Sequence, residues 1–155
     1  MDIFQKIKNH LQENSIDFKE LHHQPTHTSE DSAKARGEDV SIGGKAIVMK
    51  IEDDFKLFVL SAALKIDSKK IKEFFGAKRI RFANREELKK LTGLVPGAVP
   101  PFGRPILKLN LYVDRSILEN ERIAFNAGSL TDSIIMSTKD YIMKTNPQIF
   151  HFSKE

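Results

Sequence analysis

Residues 43–62, GGKAIVMKIEDDFKLFVLSA, hold two apolar runs, 45–51 and 55–61, separated by Glu52-Asp53-Asp54. Runs of this length, rich in Ile, Val and Phe and split by a short acidic turn, signal a β-hairpin. Side chains alternate along a strand, so Lys45, Ile47, Met49 and Ile51 share one face while Ala46, Val48 and Lys50 share the other. Both faces are apolar in the middle, which predicts a strand central in its sheet and covered on both sides. Such a strand needs further elements to bury it, and the flanking sequence supplies them.

Toward the N-terminus, Ile3, Phe4, Ile7 and Leu11 recur at helical spacing and predict an amphipathic helix over 2–14, followed by a short strand over 16–21. Thr28 or Ser29 can cap a helix that runs to Arg36 and stops at Gly37. Beyond the hairpin, Asp67 can cap a helix over 68–75 that buries Ile71, Phe74 and Phe75 and ends at Gly76. Asn84 with Glu87 forms a capping box for a helix ending near Leu91. Strands are expected near 109–113, 122–127 and 133–136, and Ser137 with Asp140 opens a last helix through about Lys144. Helices and strands are interspersed without a strict βαβ repeat. The fold class is therefore α+β, a single domain over residues 1–155 with a mixed, mostly antiparallel, curved sheet flanked by helices.

The chain has no cysteine, which removes disulfides, thiolate nucleophiles and cysteine-ligated zinc. Its N-terminus lacks the apolar run of a signal peptide, and no stretch approaches a membrane span, so a soluble, cytoplasmic protein without a membrane partner is expected. The net charge of +4 is unevenly spread. Residues 65–90 carry ten basic side chains against four acids, among them Lys69, Lys70, Lys78, Arg79 and Arg81. Such a segment suits a phosphate backbone, and it equally fits two solvated helix faces rich in lysine.

Two features carry candidate chemistry. Lys45 stands at the mouth of the central strand directly after Gly43-Gly44, where glycines let a ligand approach the backbone. It is either a fixed cation beside a cavity or a lysine that snorkels to solvent. The second feature is TGLVPGAVPPFGRP, residues 92–105, with four prolines and three glycines. It cannot be a regular helix or an inner strand. Its prolines stiffen the backbone and its glycines expose N–H groups, a combination that can hold an anion or merely turn the chain. His22, His23 and His27 straddle Pro25 without the spacing of a zinc site. No nucleophile elbow, phosphate-binding loop or dinucleotide fingerprint is present.

Taken in order, TSEDSAKA, GGKAIVMK, the hairpin ending FVLSA, GAKRIRFANREELKKLTGLVPGAVPPFG, YVDRSILENERIAFNAGS and SIIMSTKDY resemble the prolyl-tRNA synthetase-associated, YbaK-like aminoacyl-tRNA deacylases, from about Thr28 to Tyr141. The resemblance implies a single α+β domain with a barrel-like sheet, and a hydrolase that removes wrong amino acids from tRNA in trans. The expected substrate is tRNA for proline charged with alanine, cysteine or serine. It implies no cofactor and no metal, mischarged tRNA rather than DNA as partner, and prolyl-tRNA synthetase as a possible second partner. The family's critical lysine falls on Lys45, and its G-x-x-x-P loop on Gly97-Ala98-Val99-Pro100-Pro101. Lys45, Gly97 and Pro101 are thus the catalytic candidates. Thr28, Gly44, Ser61, Gly93, Ala98, Val99, Pro100, Gly103, Gly128 and Ser129 are candidates for substrate binding. Some members carry a histidine after the penultimate strand, where this chain has Ser129 through Ser133 and none. Two other readings stay open: a non-catalytic paralogue that docks tRNA or a synthetase, and a small-molecule hydrolase or nucleotide-binding protein using the same pocket.

Overall fold

A computed structural model describes residues 1–155. In chain order the elements are α1 (Ile3–Glu13), β1 (Phe18–His22), α2 (Ser29–Arg36), a 3-10 turn (Val40–Ile42), β2 (Gly44–Ile51), β3 (Asp54–Ser61), β4 (Lys65–Ile66), α3 (Ser68–Phe75), β5 (Ile80–Phe82) and α4 (Arg85–Thr92). After the glycine-proline segment come β6 (Leu111–Asp114), α5 (Arg115–Leu118), β7 (Arg122–Asn126), β8 (Asp132–Ser137), α6 (Thr138–Thr145), β9 (Gln148–Phe150) and β10 (Ser153–Lys154). The class is α+β, as the pattern predicts.

The hairpin organises the largest sheet. β2 pairs antiparallel with β3 from Gly44↔Ser61 to Ile51↔Asp54, and with β5 on its other side. β3 continues into parallel pairing with β6, and β6 with β9, giving the order β5-β2-β3-β6-β9. Because Ile51 already pairs with Asp54, the turn is Glu52-Asp53 alone, and Glu52 takes φ +54°. That left-handed conformation is unusual for a residue with a side chain. Here Glu52 N–H donates to the Arg79 carbonyl, and its carboxylate accepts from the Lys78 and Arg79 N–H groups at 2.6 and 3.2 Å.

Alternation along the two strands splits the interior. Val48, Leu57 and Val59 join the larger core with Ile7, Leu11, Phe102, Phe125 and Tyr141. Met49, Ile51, Phe58 and Leu60 face the opposite core with Ile71, Tyr112 and Phe152. A second sheet, β1-β8-β7, packs beneath α1 on the larger core, and β4 with β10 forms a short third ladder. The expected barrel is not closed. A single parallel bridge, Gly43↔Ala124, joins the two large sheets. The ladder stops there because the chain before Gly43 is coiled into the 3-10 turn, whose Val40 carbonyl already accepts the Gly43 N–H.

The expected helix caps are present. Thr28, Asp67, Asn84 and Ser137 each accept a backbone N–H of the first turn, and Asn84 with Glu87 closes a capping box; Asp2 caps α1 in the same way, beyond the expected set. Gly37, Gly76 and Gly93 end their helices in the left-handed conformation. One burial expectation fails. Phe74 is 44% exposed, lying over Phe150 with ring centroids 3.8 Å apart, while Ile71 alone of α3 is fully buried. Adjacent residues of a helix point about 100° apart, so Phe74 and Phe75 cannot both enter one core.

The glycine-proline segment is fastened to this frame from behind. The Tyr141 hydroxyl, wholly buried, donates to the Pro101 carbonyl at 2.6 Å, and Gly128 N–H donates to the Ala98 carbonyl at 3.0 Å. Tyr141→Phe should lower unfolding free energy by roughly 1–3 kcal/mol in urea titration, because the Pro101 carbonyl loses its buried donor. Gly43→Ala should also destabilise, by about 1–3 kcal/mol for an overpacked site. Its new methyl would stand 2.9 Å from Ala62 Cβ and 3.2 Å from the Val40 carbonyl, so thermal denaturation should show a lowered midpoint.

Candidate active site

A cavity of about 330 Å³ opens between α2, the start of β2, the end of β5 and the glycine-proline segment. Lys45 and Arg36 line it, with Asn126 and the backbone at Gly97, and none of its lining residues is acidic. Of the candidates from sequence, Thr28, Gly44, Lys45, Gly97 and Val99 meet here.

Lys45 is half-buried, and its Nζ donates to the Leu64 carbonyl at 2.5 Å. Burial pulls its pKa below the ordinary lysine value, the Lys65 charge adds to that, and Glu30 opposes it. One hydrogen bond engages one of three ammonium donors, which leaves capacity for an electron-rich ligand oxygen. The ammonium does not swing freely into solvent, because a backbone carbonyl fixes it. The two preceding glycines serve the protein's own packing: a Cβ on Gly44 would meet the Ile123 side chain at 2.6 Å.

In the loop, Ala98 N–H bonds to the Val95 carbonyl, whereas the Gly97 and Val99 N–H groups have no acceptor within the chain. Gly97 holds φ +90°, and its carbonyl accepts from Asn126 Nδ2 at 2.8 Å. The prolines, lacking N–H, cannot donate.

The remaining candidates lie outside the cavity lining. Ser61 pairs with Gly44 from behind, buried, its hydroxyl donating to the Ser41 carbonyl at 2.8 Å. Ala98, Pro100 and Pro101 are buried beneath the loop surface. The Gly103 carbonyl accepts from Ile106 and Leu107, and a Cβ there would sit 2.6 Å from the Leu109 carbonyl. Gly93 is the exposed end of α4. Gly128 packs on Ile3 of α1, and the Ser129 hydroxyl closes its own turn by accepting from Thr131 N–H.

The basic candidates are divided between α3 and the approach to β5. Arg79 faces Glu52 at 3.5 Å, and Arg81 grips Glu87 with two bonds of 2.7 and 2.9 Å. That fork, with the Asn84 N–H, holds the Glu87 carboxyl down at about 2. Lys69 and Lys78 are exposed without a carboxylate in reach, and Lys70 Nζ lies 3.4 Å from the Ser153 carbonyl. The three histidines have separate surroundings: His22 bonds Asp132, His23 bonds Ser133, and His27 lines the cavity.

The structure adds residues that the pattern reading passed over. Ser29, Ser32 and Arg36 line the cavity from one stripe of α2, and their helical spacing was the available signal. Thr26 and Ser32 share a buried hydroxyl pair at 2.8 Å beside it. Phe82 lines the mouth while 54% exposed. Asn126 ends β7 directly after the apolar run Ile123–Phe125, and only the tertiary contact with Gly97 reveals why.

Comparison with known proteins finds relatives along most of the chain. The profile of the aminoacyl-tRNA editing domain covers residues 23–143. The chain is 33% identical over 150 residues to the multifunctional Ser/Thr-tRNA deacylase ProXp-y of Escherichia coli (strain K12), covering 93% of this chain and 89% of that protein. It is 26% identical over 157 residues to the prolyl-tRNA editing protein ProX of Acetoanaerobium sticklandii, covering 97% and 96% of the two chains. In fold it resembles a candidate trans-editing enzyme for prolyl tRNA synthetase, with a TM-score of 0.84 at 24% identity, covering 100% of this chain and 99% of that one. The matched span contains β2 with Lys45 and the whole glycine-proline loop, and the chain belongs to the aminoacyl-tRNA editing domain family.

Proposed function

We infer that this protein is an aminoacyl-tRNA deacylase that hydrolyses the ester of mischarged tRNA in trans. The observation that carries the reading is the cavity itself, which combines a fixed lysine, two unpaired loop amides and no carboxylate. Water attack on an ester carbonyl builds negative charge on oxygen, and cations and oriented N–H groups in a partly dry site stabilise that charge most. Lys45 holds the substrate's carbonyl or its terminal phosphate. The Gly97 and Val99 amides orient the terminal ribose and the developing oxyanion. The cavity lacks a carboxylate base, which suits a mechanism in which a hydroxyl of the terminal adenosine assists the attacking water. Phe82, exposed at the mouth, offers a ring for the terminal base to stack on, a contact worth roughly 1–3 kcal/mol.

The expected amino acids remain alanine, cysteine and serine on tRNA for proline. Threonine joins them, since the relative from Escherichia coli is named for Ser and Thr, and the Thr26–Ser32 hydroxyl pair gives the wall a polar contact for a substrate hydroxyl. A prolyl-tRNA synthetase as second partner belongs to the same proposal. Lys69, Lys70 and Lys78 approach acceptor-stem phosphates, with Arg79 and Arg81 contributing less because acids already engage them.

Three measurements test this. Single-turnover deacylation should fall roughly 10²–10³-fold in Lys45→Ala, the loss typical of one oriented oxyanion donor, with the circular dichroism spectrum unchanged. At subsaturating tRNA the rate should drop as salt rises, and Lys69→Ala with Lys78→Ala should flatten that slope by about one charge per residue replaced. A panel of Ala-, Cys-, Ser-, Thr- and Pro-charged tRNAs should show hydrolysis of mischarged species and sparing of the correct one. Binding without hydrolysis anywhere in the panel would instead identify a docking paralogue.

A further inference from the structure

Arg36 is the second cation of the cavity and has no role in the mechanism above. No carboxylate lies within ion-pair distance of it. Burial lowers its pKa to about 10, so its placement costs free energy that no counter-ion returns. Its side chain is nevertheless fixed. Nε donates to Ser133 Oγ and Nη2 donates to Asn126 Oδ1, both at 2.9 Å.

The consequence lies in the asymmetry of the Asn126 amide. A guanidinium can only donate, so the group facing it must be the amide oxygen. Ser133 Oγ reinforces that choice from 3.2 Å. With Oδ1 turned toward Arg36, Nδ2 is turned toward the loop, where it donates to the Gly97 carbonyl at 2.8 Å. Were the amide reversed, oxygen would face oxygen at Gly97, and the loop would be pushed away. Arg36 therefore dictates the orientation of a side chain that dictates the position of Gly97.

We propose that Arg36 is a positioning residue for deacylation, acting through Asn126 to set the Gly97 peptide and with it the amides of the G-x-x-x-P loop. The proposal rests on the catalytic reading of that loop. It assigns the α2 helix a part in catalysis, and it explains a partly buried arginine whose partners are neutral amide and hydroxyl groups.

The test is a double-mutant cycle on deacylation of mischarged tRNA, with kcat and KM separated. Arg36→Gln keeps polarity but removes the donor-only constraint; kcat should fall by on the order of 10-fold or more, since small displacements of a positioning group are costly. KM should stay at the wild-type value. Asn126→Ala should show a similar fall, and the double variant should lose no more than the worse single one, because both act on one carbonyl. Arg36→Lys, still a donor-only cation, should recover part of kcat. In amide NMR spectra, Arg36→Gln should move the Gly97, Ala98 and Val99 resonances. Additive losses, or a raised KM with kcat intact, would overturn the proposal and make Arg36 a direct tRNA contact. Moved resonances with wild-type kcat would overturn the catalytic reading of the loop, whereas unmoved resonances would overturn the coupling itself. If Arg36→Gln does not fold, Arg36→Lys and Asn126→Ala carry the same comparison.

Discussion

The antiparallel ladder between β2 and β3 carries the rest of the molecule. Its registered pairs run from Gly44↔Ser61 to Ile51↔Asp54, and apolar side chains cover both faces of its middle. A sheet buried on two sides must recruit cover on two sides. α1, β7 and β8 supply it on one, and α3 with the C-terminal strands on the other. The aromatic side is tight: Phe58 stacks on Tyr112 at 5.3 Å between centroids and meets Phe152 edge-on at 5.4 Å. Asp114, fully buried at the end of β6, ties the C-terminal segment to this side by accepting from Phe152 N–H. Burial alone would raise its pKa, but the bonds from Ser116, Phe152 and Ser153 outweigh it and hold the carboxyl below its ordinary value.

The site follows from where that ladder ends. β2 begins at Gly44, so Lys45 is the first side chain on its face, placed at the rim of a sheet that permits little movement. The glycine-proline loop comes to the same rim because its back is tethered at Pro101, Ala98 and Gly97 by Tyr141, Gly128 and Asn126. Those tethers consume carbonyls. The N–H groups of Gly97 and Val99 are left over, and unpaired amides next to an uncompensated cation favour negative charge on a ligand. The loop thus divides its backbone groups, with carbonyls used for folding and the Gly97 and Val99 amides left without a partner in the chain.

Much of this was legible in the chain, and the reasons are local. The caps at Thr28, Asp67, Asn84 and Ser137, and the glycines at 37 and 76, act within one helical turn, so sequence spacing suffices. The short strands β4, β5, β9 and β10 were not legible. Each has three residues or fewer and exists because a partner edge is there to pair with it. Phe74 lies outside the core that its sequence position suggests, because composition cannot tell which of two adjacent aromatics the helix turns inward. Ser129, Gly128 and Gly103, to which the resemblance points as pocket residues, serve turns and close packing behind the loop.

The sequence by itself determined the two-faced hairpin, the capped helices, the rigid loop and the position of Lys45 at a strand mouth. All of these depend on periodicity or on neighbours a few residues apart. Tertiary structure alone decided that the sheets would meet at a single bridge instead of closing. It also decided that Lys45 would lean on Leu64, and that Arg36, Asn126 and Gly97 would form one chain of hydrogen bonds. Arg36 and Asn126 are 90 residues apart, and their hydrogen bond exists only once α2 is laid across the end of β7. No local pattern encodes such a contact, because its geometry is set by how two independently formed elements pack.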